Sequence, residues 1–179
     1  MKKARLSHVD ARGAARMVDV ADKPETARTA TASATVKMKR ETLRLVERAT
    51  GARGKGDVLA VARLAGIMAA RRTAELIPLC HPIRLTDCQV DLTTDRALPG
   101  VRIRATARAV DRTGVEMEAM LAATTAALTV YDMVKGAERE TEIGAVRLEE
   151  KAGGRSGHWR RGAAPRLRLK PIARGRASK

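Results

Sequence analysis

A chain of 179 residues with no Phe, one Trp (Trp159) and one Tyr (Tyr131) has to build its core from Ala, Val, Leu, Ile and Met. Side chains that small fill space only where backbones approach closely. The sequence therefore calls for helices lying tight against a sheet or against one another. Apolar residues make up 44% of the chain, enough for one compact core, and the length suits one domain.

The periodicities indicate which elements share that core. From Thr29 to Met38 the residues alternate, with Ala30, Ala32, Ala34, Val36 and Met38 on one face and Thr29, Thr31, Ser33, Thr35 and Lys37 on the other. That pattern predicts a half-buried strand. Leu43 and Val46 predict a short helix over Lys39 to Arg48 that stops near Gly51. Asp57 stands as an N-cap for an Ala-rich helix from Val58 to Thr73, closed by the double-proline loop of Leu76 to Pro82. Leu85 to Leu92 and Val101 to Ala109 read as a hairpin turning at Leu98-Pro99-Gly100. A long helix follows from about Val115 to Lys135, with Gly136 as its stop, and Ile143 to Leu148 supplies a last strand. The order β-α-α-β-β-α-β is an α+β, ferredoxin-like split β-α-β arrangement with an antiparallel sheet and one extra helix.

Charge divides the chain. From Ala152 onward there are nine Lys or Arg and no acid, whereas residues 1–151 hold 27 bases and 20 acids. The expected organisation is one α+β domain over 1–151, with residues 1–27 irregular, and a basic, disordered tail over 152–179. A basic chain suits an RNA, an anionic membrane or a phosphorylated small molecule. The scarcity of aromatic stacking platforms weighs against single-stranded RNA, although a basic RNA-binding module is the alternative reading. The tail is expected to bind polyanions non-specifically. Cys80 and Cys88 form no C-x-x-C, and no metal-ligand or cofactor-binding pattern accompanies them. The start of the chain lacks a signal-peptide core and no apolar run reaches membrane-spanning length, so a cytoplasmic protein is expected.

Polar residues with chemical potential are few. Asp132 and Lys135 share one helical face, a spacing that an exposed i,i+3 ion pair also explains. Glu116 and Glu118 suit the positive end of their helix without needing a site. His81, between Cys80 and Pro82, suits either a phosphate or a backbone carbonyl partner. Cys80 has no activating partner in the sequence and reads as a small core residue. The chain uses 26 Arg and ten Lys. Lys55, in a glycine-flanked loop, and Lys135, beside Asp132, therefore stand out as groups able to exchange protons. Gly153-Gly154-Arg155-Ser156-Gly157 lacks the lysine and following helix of a phosphate loop and reads as a flexible linker.

In order along the chain, MVDV (17–20), KGDV (55–58), LIPLCHP (76–82), TGVEMEA (113–119) and TVYDMVKG (129–136) resemble the cyclic pyranopterin monophosphate synthase family, molybdenum cofactor biosynthesis protein C. The likeness spans roughly residues 6–158. It implies an enzyme that converts 3′,8-cyclo-7,8-dihydroguanosine 5′-triphosphate to cyclic pyranopterin monophosphate and releases pyrophosphate, with no cofactor. It also implies Asp132, Lys55 and Lys135 as catalytic groups. Leu79, Cys80, His81, Glu116, Met117, Glu118, Arg28 and Lys151 would hold the substrate. The resemblance further implies a homo-oligomer, a hexamer built as a trimer of dimers, with sites at the dimer interface. Arg71 and Ala74 depart from the family pattern, which favours Lys and an aromatic residue at those positions.

Overall fold

The computed structural model describes residues 6–10, 12–50 and 56–162. Strand β1 (Thr26–Lys37) is followed by helices α1 (Arg40–Ala49), α2 (Val58–Ala70) and the single turn α3 (Thr73–Leu76). Strands β2 (Leu85–Asp95) and β3 (Gly100–Asp111), helix α4 (Glu116–Val134) and strands β4 (Glu142–Ala152) and β5 (Trp159–Arg160) complete the order. The sheet runs β2-β3-β1-β4-β5, and each neighbouring pair is antiparallel. This is the ferredoxin-like α+β fold that the alternation and helical spacing predict.

The small-residue core takes the form its composition requires. Ala30, Ala32, Ala34 and Val36 of β1 and Ala105, Ala107 and Ala109 of β3 are buried on one sheet face. Ala119, Ala122, Ala123, Ala126 and Ala127 of α4 are fully buried against them. Helix α2 approaches α4 so closely at Gly66 that an added Cβ would stand 2.8 Å from the Ala122 carbonyl oxygen. Any larger residue there would have to push two helices apart. Asp57 caps α2, its carboxylate accepting from the Ala60 amide at 3.0 Å.

On the opposite sheet face, cations meet carboxylates. Arg102 pairs with Asp95 and Arg108 with Asp87, and Arg147 pairs with Glu149 at 2.6 Å. Thr31 and Thr106 hydrogen-bond across β1 and β3 at 3.0 Å. A face neutralised in this way is a poor platform for an RNA backbone, which needs unopposed positive charge.

Three local features depart from the sequence pattern. The helix expected to reach Thr73 ends at Ala70, and Thr73, the first residue of α3, donates from its hydroxyl to the Ala70 carbonyl at 2.9 Å. Helix α4 stops at Val134, where the Ala137 and Glu138 amides both donate to the Val134 carbonyl, and Gly136 is not left-handed. Past Gly153, where periodicity ends, Trp159–Arg160 pair with Glu150 and Lys151 as a two-residue edge strand. Its shortness, and the Arg161 guanidinium 5.7 Å from the Trp159 ring centre, leave little open edge.

Candidate active site

The first turn of α4 carries Glu116, Met117 and Glu118, with different surroundings for each. Met117 faces outward. Glu118 is only 2% exposed, and its Oε2 has no hydrogen-bond partner. Desolvation pushes its carboxyl up to about 7, and the nearby Glu116 and Asp111 charges add to the shift. The Cys80 thiol, delivered by the loop after α3, donates to Glu118 Oε1 at 3.9 Å. Burial raises the Cys80 thiol above its ordinary range, with Glu118 as the next cause, so Cys80 is a protonated neighbour of Glu118 and not a thiolate nucleophile. Leu79 and His81 flank it, both half-buried.

Cations approach the same end of α4 from the sheet. Lys151 on β4 donates to Glu116 Oε1 at 2.8 Å, and both side chains are about a third exposed. Arg28 on β1 donates from Nε to the Asp111 carbonyl at 3.1 Å and from Nη2 to the Arg112 carbonyl at 3.2 Å. A cleft of about 760 Å³ opens there, bordered by Arg28, Arg112, Gly114, Gly154, Arg155 and Ser156. Sequence reasoning misses Arg112, Arg155 and Ser156 and takes the Gly153–Gly157 run for a linker. The doublet Gly153-Gly154 is the one local signal of something more. The loop is backed by strand β1 instead of the helix a phosphate loop normally requires. Asp22, Lys23, Pro24, Thr26 and Thr113 supply the remaining wall.

At the other end of the same helix, Asp132 and Lys135 form an ion pair of 2.5 Å, with more than half of each side chain exposed. The hydrogen bond to Asp132 raises the Lys135 pKa above its ordinary value. Within this chain, then, Lys135 is held charged; the depressed pKa that makes lysine a ready proton donor is not produced here. Glu118 and Asp132 are fourteen residues apart on one helix, a rise of about 21 Å. One chain therefore brings together Cys80, Glu118, Glu116, Lys151 and Arg28 at one end and leaves Asp132 and Lys135 at the other. Lys55 lies outside the described residues. Among the described residues, no group of three or more His, Cys, Asp or Glu is arranged to hold a metal ion, and no helix is long and apolar enough to cross a membrane.

A cation-lined cleft beside a buried acid poised near neutrality, on an α+β scaffold, marks an enzyme acting on an anionic small molecule. The chain belongs to the MoaC family, which it matches over residues 17–154. A cyclic pyranopterin monophosphate synthase of Thermomicrobium roseum is 59% identical over 158 residues, covering 88% of this chain and 94% of that protein. The protein of the same name from Brucella ovis is 56% identical over 155 residues, covering 87% of this chain and 93% of its own.

Proposed function

We propose that this chain converts 3′,8-cyclo-7,8-dihydroguanosine 5′-triphosphate to cyclic pyranopterin monophosphate, an early step of molybdenum cofactor biosynthesis, with release of pyrophosphate. The observation that carries this reading is the convergence of Arg28, Arg112 and Lys151 on the α4 end that holds Glu118 and Cys80. A triphosphate carries the charge such a cluster balances. The phosphoryl step forms a bond from a substrate hydroxyl oxygen to the α-phosphorus and breaks the bridge to the β-phosphate. Negative charge then grows on the departing pyrophosphate, where fixed cations lower the barrier.

Rebuilding the purine-derived ring needs separate proton transfers. Asp132, Lys135 and Lys55 are assigned to them by family resemblance, with Leu79, Cys80, His81, Met117 and Glu118 seating the base-derived ring. The 21 Å or so between the two ends of α4 supports a site completed by Asp132 of a second copy of the chain. Val61, Leu64 and Met68 of α2 and Leu128 of α4 expose an apolar helical face compatible with such a pairing. The family resemblance extends the pair to a hexamer of three dimers. A cytoplasmic location accords with this metabolic role.

The test is direct. Purified protein given the cyclised guanosine triphosphate derivative should release one pyrophosphate for each cyclic pyranopterin monophosphate formed. Substrate left unchanged under conditions where the Thermomicrobium roseum relative turns over would refute the reading.

A further inference from the structure

Gly153 and Gly154 adopt left-handed backbone conformations, with φ of 105° and 68°. Glycine reaches that region without the steric cost other residues carry. Conformation is only part of what their surroundings demand. A Cβ on Gly153 would overlap the Ala27 carbonyl oxygen, and a Cβ on Gly154 would overlap Nη1 of Arg28. The Gly157 amide donates back to the Gly154 carbonyl at 3.1 Å, closing the loop into a turn. The loop thus lies flat on β1 at residues 27 and 28.

Arg28 is held from two other directions. Its Nε and Nη2 are committed to the carbonyls of Asp111 and Arg112. Those two bonds fix the plane of the guanidinium, and the bare face of Gly154 fixes where its remaining nitrogen stands. Arg28, Gly154, Arg155 and Ser156 all border the same cleft of about 760 Å³. An arginine whose fork is fixed before ligand arrives can meet phosphate oxygens with little further loss of rotamer freedom.

We infer that Gly154 is a positioning residue for the Arg28 guanidinium, and that the Gly153–Gly157 turn sets this cation for the phosphate groups of a nucleotide triphosphate. The choice of ligand rests on the function proposed above; the role of Gly154 rests on the geometry of the loop. A side chain at 154 displaces the guanidinium from its two carbonyl anchors and weakens phosphate binding, with little effect on steps after binding.

The experiment compares wild type, Gly154→Ala, Gly154→Asn, Arg28→Ala and the double variant Arg28→Ala/Gly154→Ala, all as full chains. It measures KM and kcat with the cyclised substrate, the dissociation constant of inorganic pyrophosphate by calorimetry, and thermal melting to establish folding. Gly154→Ala should raise KM and the pyrophosphate dissociation constant about tenfold, with kcat within about twofold of wild type, the pattern of lost uniform binding. Asn tolerates left-handed backbone far better than Ala does. Gly154→Asn should nonetheless lose as much affinity as Gly154→Ala, because both crowd Arg28. Recovery of wild-type affinity by Asn would mean that backbone strain alone is at work and would overturn the inference. In the Arg28→Ala background, Gly154→Ala should add less than about a twofold loss, since its target is gone. Full additivity there would also overturn it, as would wild-type protein that binds no pyrophosphate. If wild type binds pyrophosphate with this pattern yet leaves the cyclised substrate unchanged, the proposed function fails and the role of Gly154 stands. Normal turnover with unchanged KM in Gly154→Ala means the reverse: the proposed function stands and the role of Gly154 fails.

Discussion

The two ends of helix α4 are built on opposite principles. At its N-terminal end Glu118 is buried with an unpartnered oxygen, Glu116 is tied to Lys151, and two backbone segments, 111–112 and the Gly154 turn, hold Arg28. At its C-terminal end the Asp132 and Lys135 side chains pair with each other, and more than half of each is open to water. The first end is preorganised within one chain, and its groups are already perturbed by burial. The second has a geometry that any surface helix could show. A carboxylate and an ammonium in water have no special reactivity. The contrast implies that the C-terminal end gains its chemistry only when something else covers it, whereas the N-terminal end needs nothing but substrate.

The largest expected effect follows from removing the exposed acid. Asp132→Ala should lower turnover by about a thousandfold or more, the scale of losing a general acid–base group together with the lysine it orients. The same change should barely alter stability, because water screens an exposed i,i+3 ion pair almost completely. Steady-state kinetics and a thermal melt on one sample check both halves. Retained turnover would end the assignment of Asp132, and a collapsed melting curve would show that the pair has a structural duty its exposure does not reveal.

Next in size is a complementation effect. Asp132→Ala chains, nearly inactive, and Arg28→Ala chains, slow at substrate concentrations well below their raised KM, should recover activity under those conditions when unfolded together and reassembled. In a two-site dimer with each site shared, random mixing makes about half the dimers mixed, and each has one intact site, so recovery approaches about a quarter of wild type. A site contained in one chain gives no recovery at any ratio. This measurement addresses the 21 Å or so between the two ends of α4 directly, and it does not depend on knowing how many dimers associate.

How much of this could be read in the sequence differs between scaffold and site, for physical reasons. The alternation of Ala and Thr along β1 and the Asp57 cap are local signals, and both correspond to elements at nearly the expected bounds. The Asp132–Lys135 pair is legible because helical spacing is local too. The Cys80–Glu118 contact joins residues 38 apart in sequence, and the Arg28 anchors lie 83 and 84 away. No periodicity encodes such contacts; they arise from strand order, once β3 lies beside β1. The Gly153–Gly157 turn escapes a sequence reading for the same reason. Its composition matches a linker, and only its packing on Ala27 and Arg28 shows what the glycines are for.

The last test separates the two ends by their response to pH. Glu118 has its carboxyl raised from an ordinary 4.5 to about 7 in the folded state, chiefly by desolvation. Between those values the folded chain binds more protons than the unfolded chain, so stability must fall as pH rises through that window and level off above it. The full difference corresponds to about 3 kcal/mol at most for a group this buried. Glu118→Gln keeps the shape and removes the titration. It should therefore match wild type near pH 4.5, gain on it progressively up to about pH 7, and remain more stable at pH 8. Chemical denaturation at four or five pH values measures the slope. Asp132→Ala, titrated in parallel, should keep the wild-type slope across the same window, because Glu118 is intact in it. If Glu118→Gln keeps that slope too, Glu118 already ionises normally in the folded chain. Its surroundings would then be far wetter than its burial implies, and the preorganised end of α4 would lose its distinguishing group.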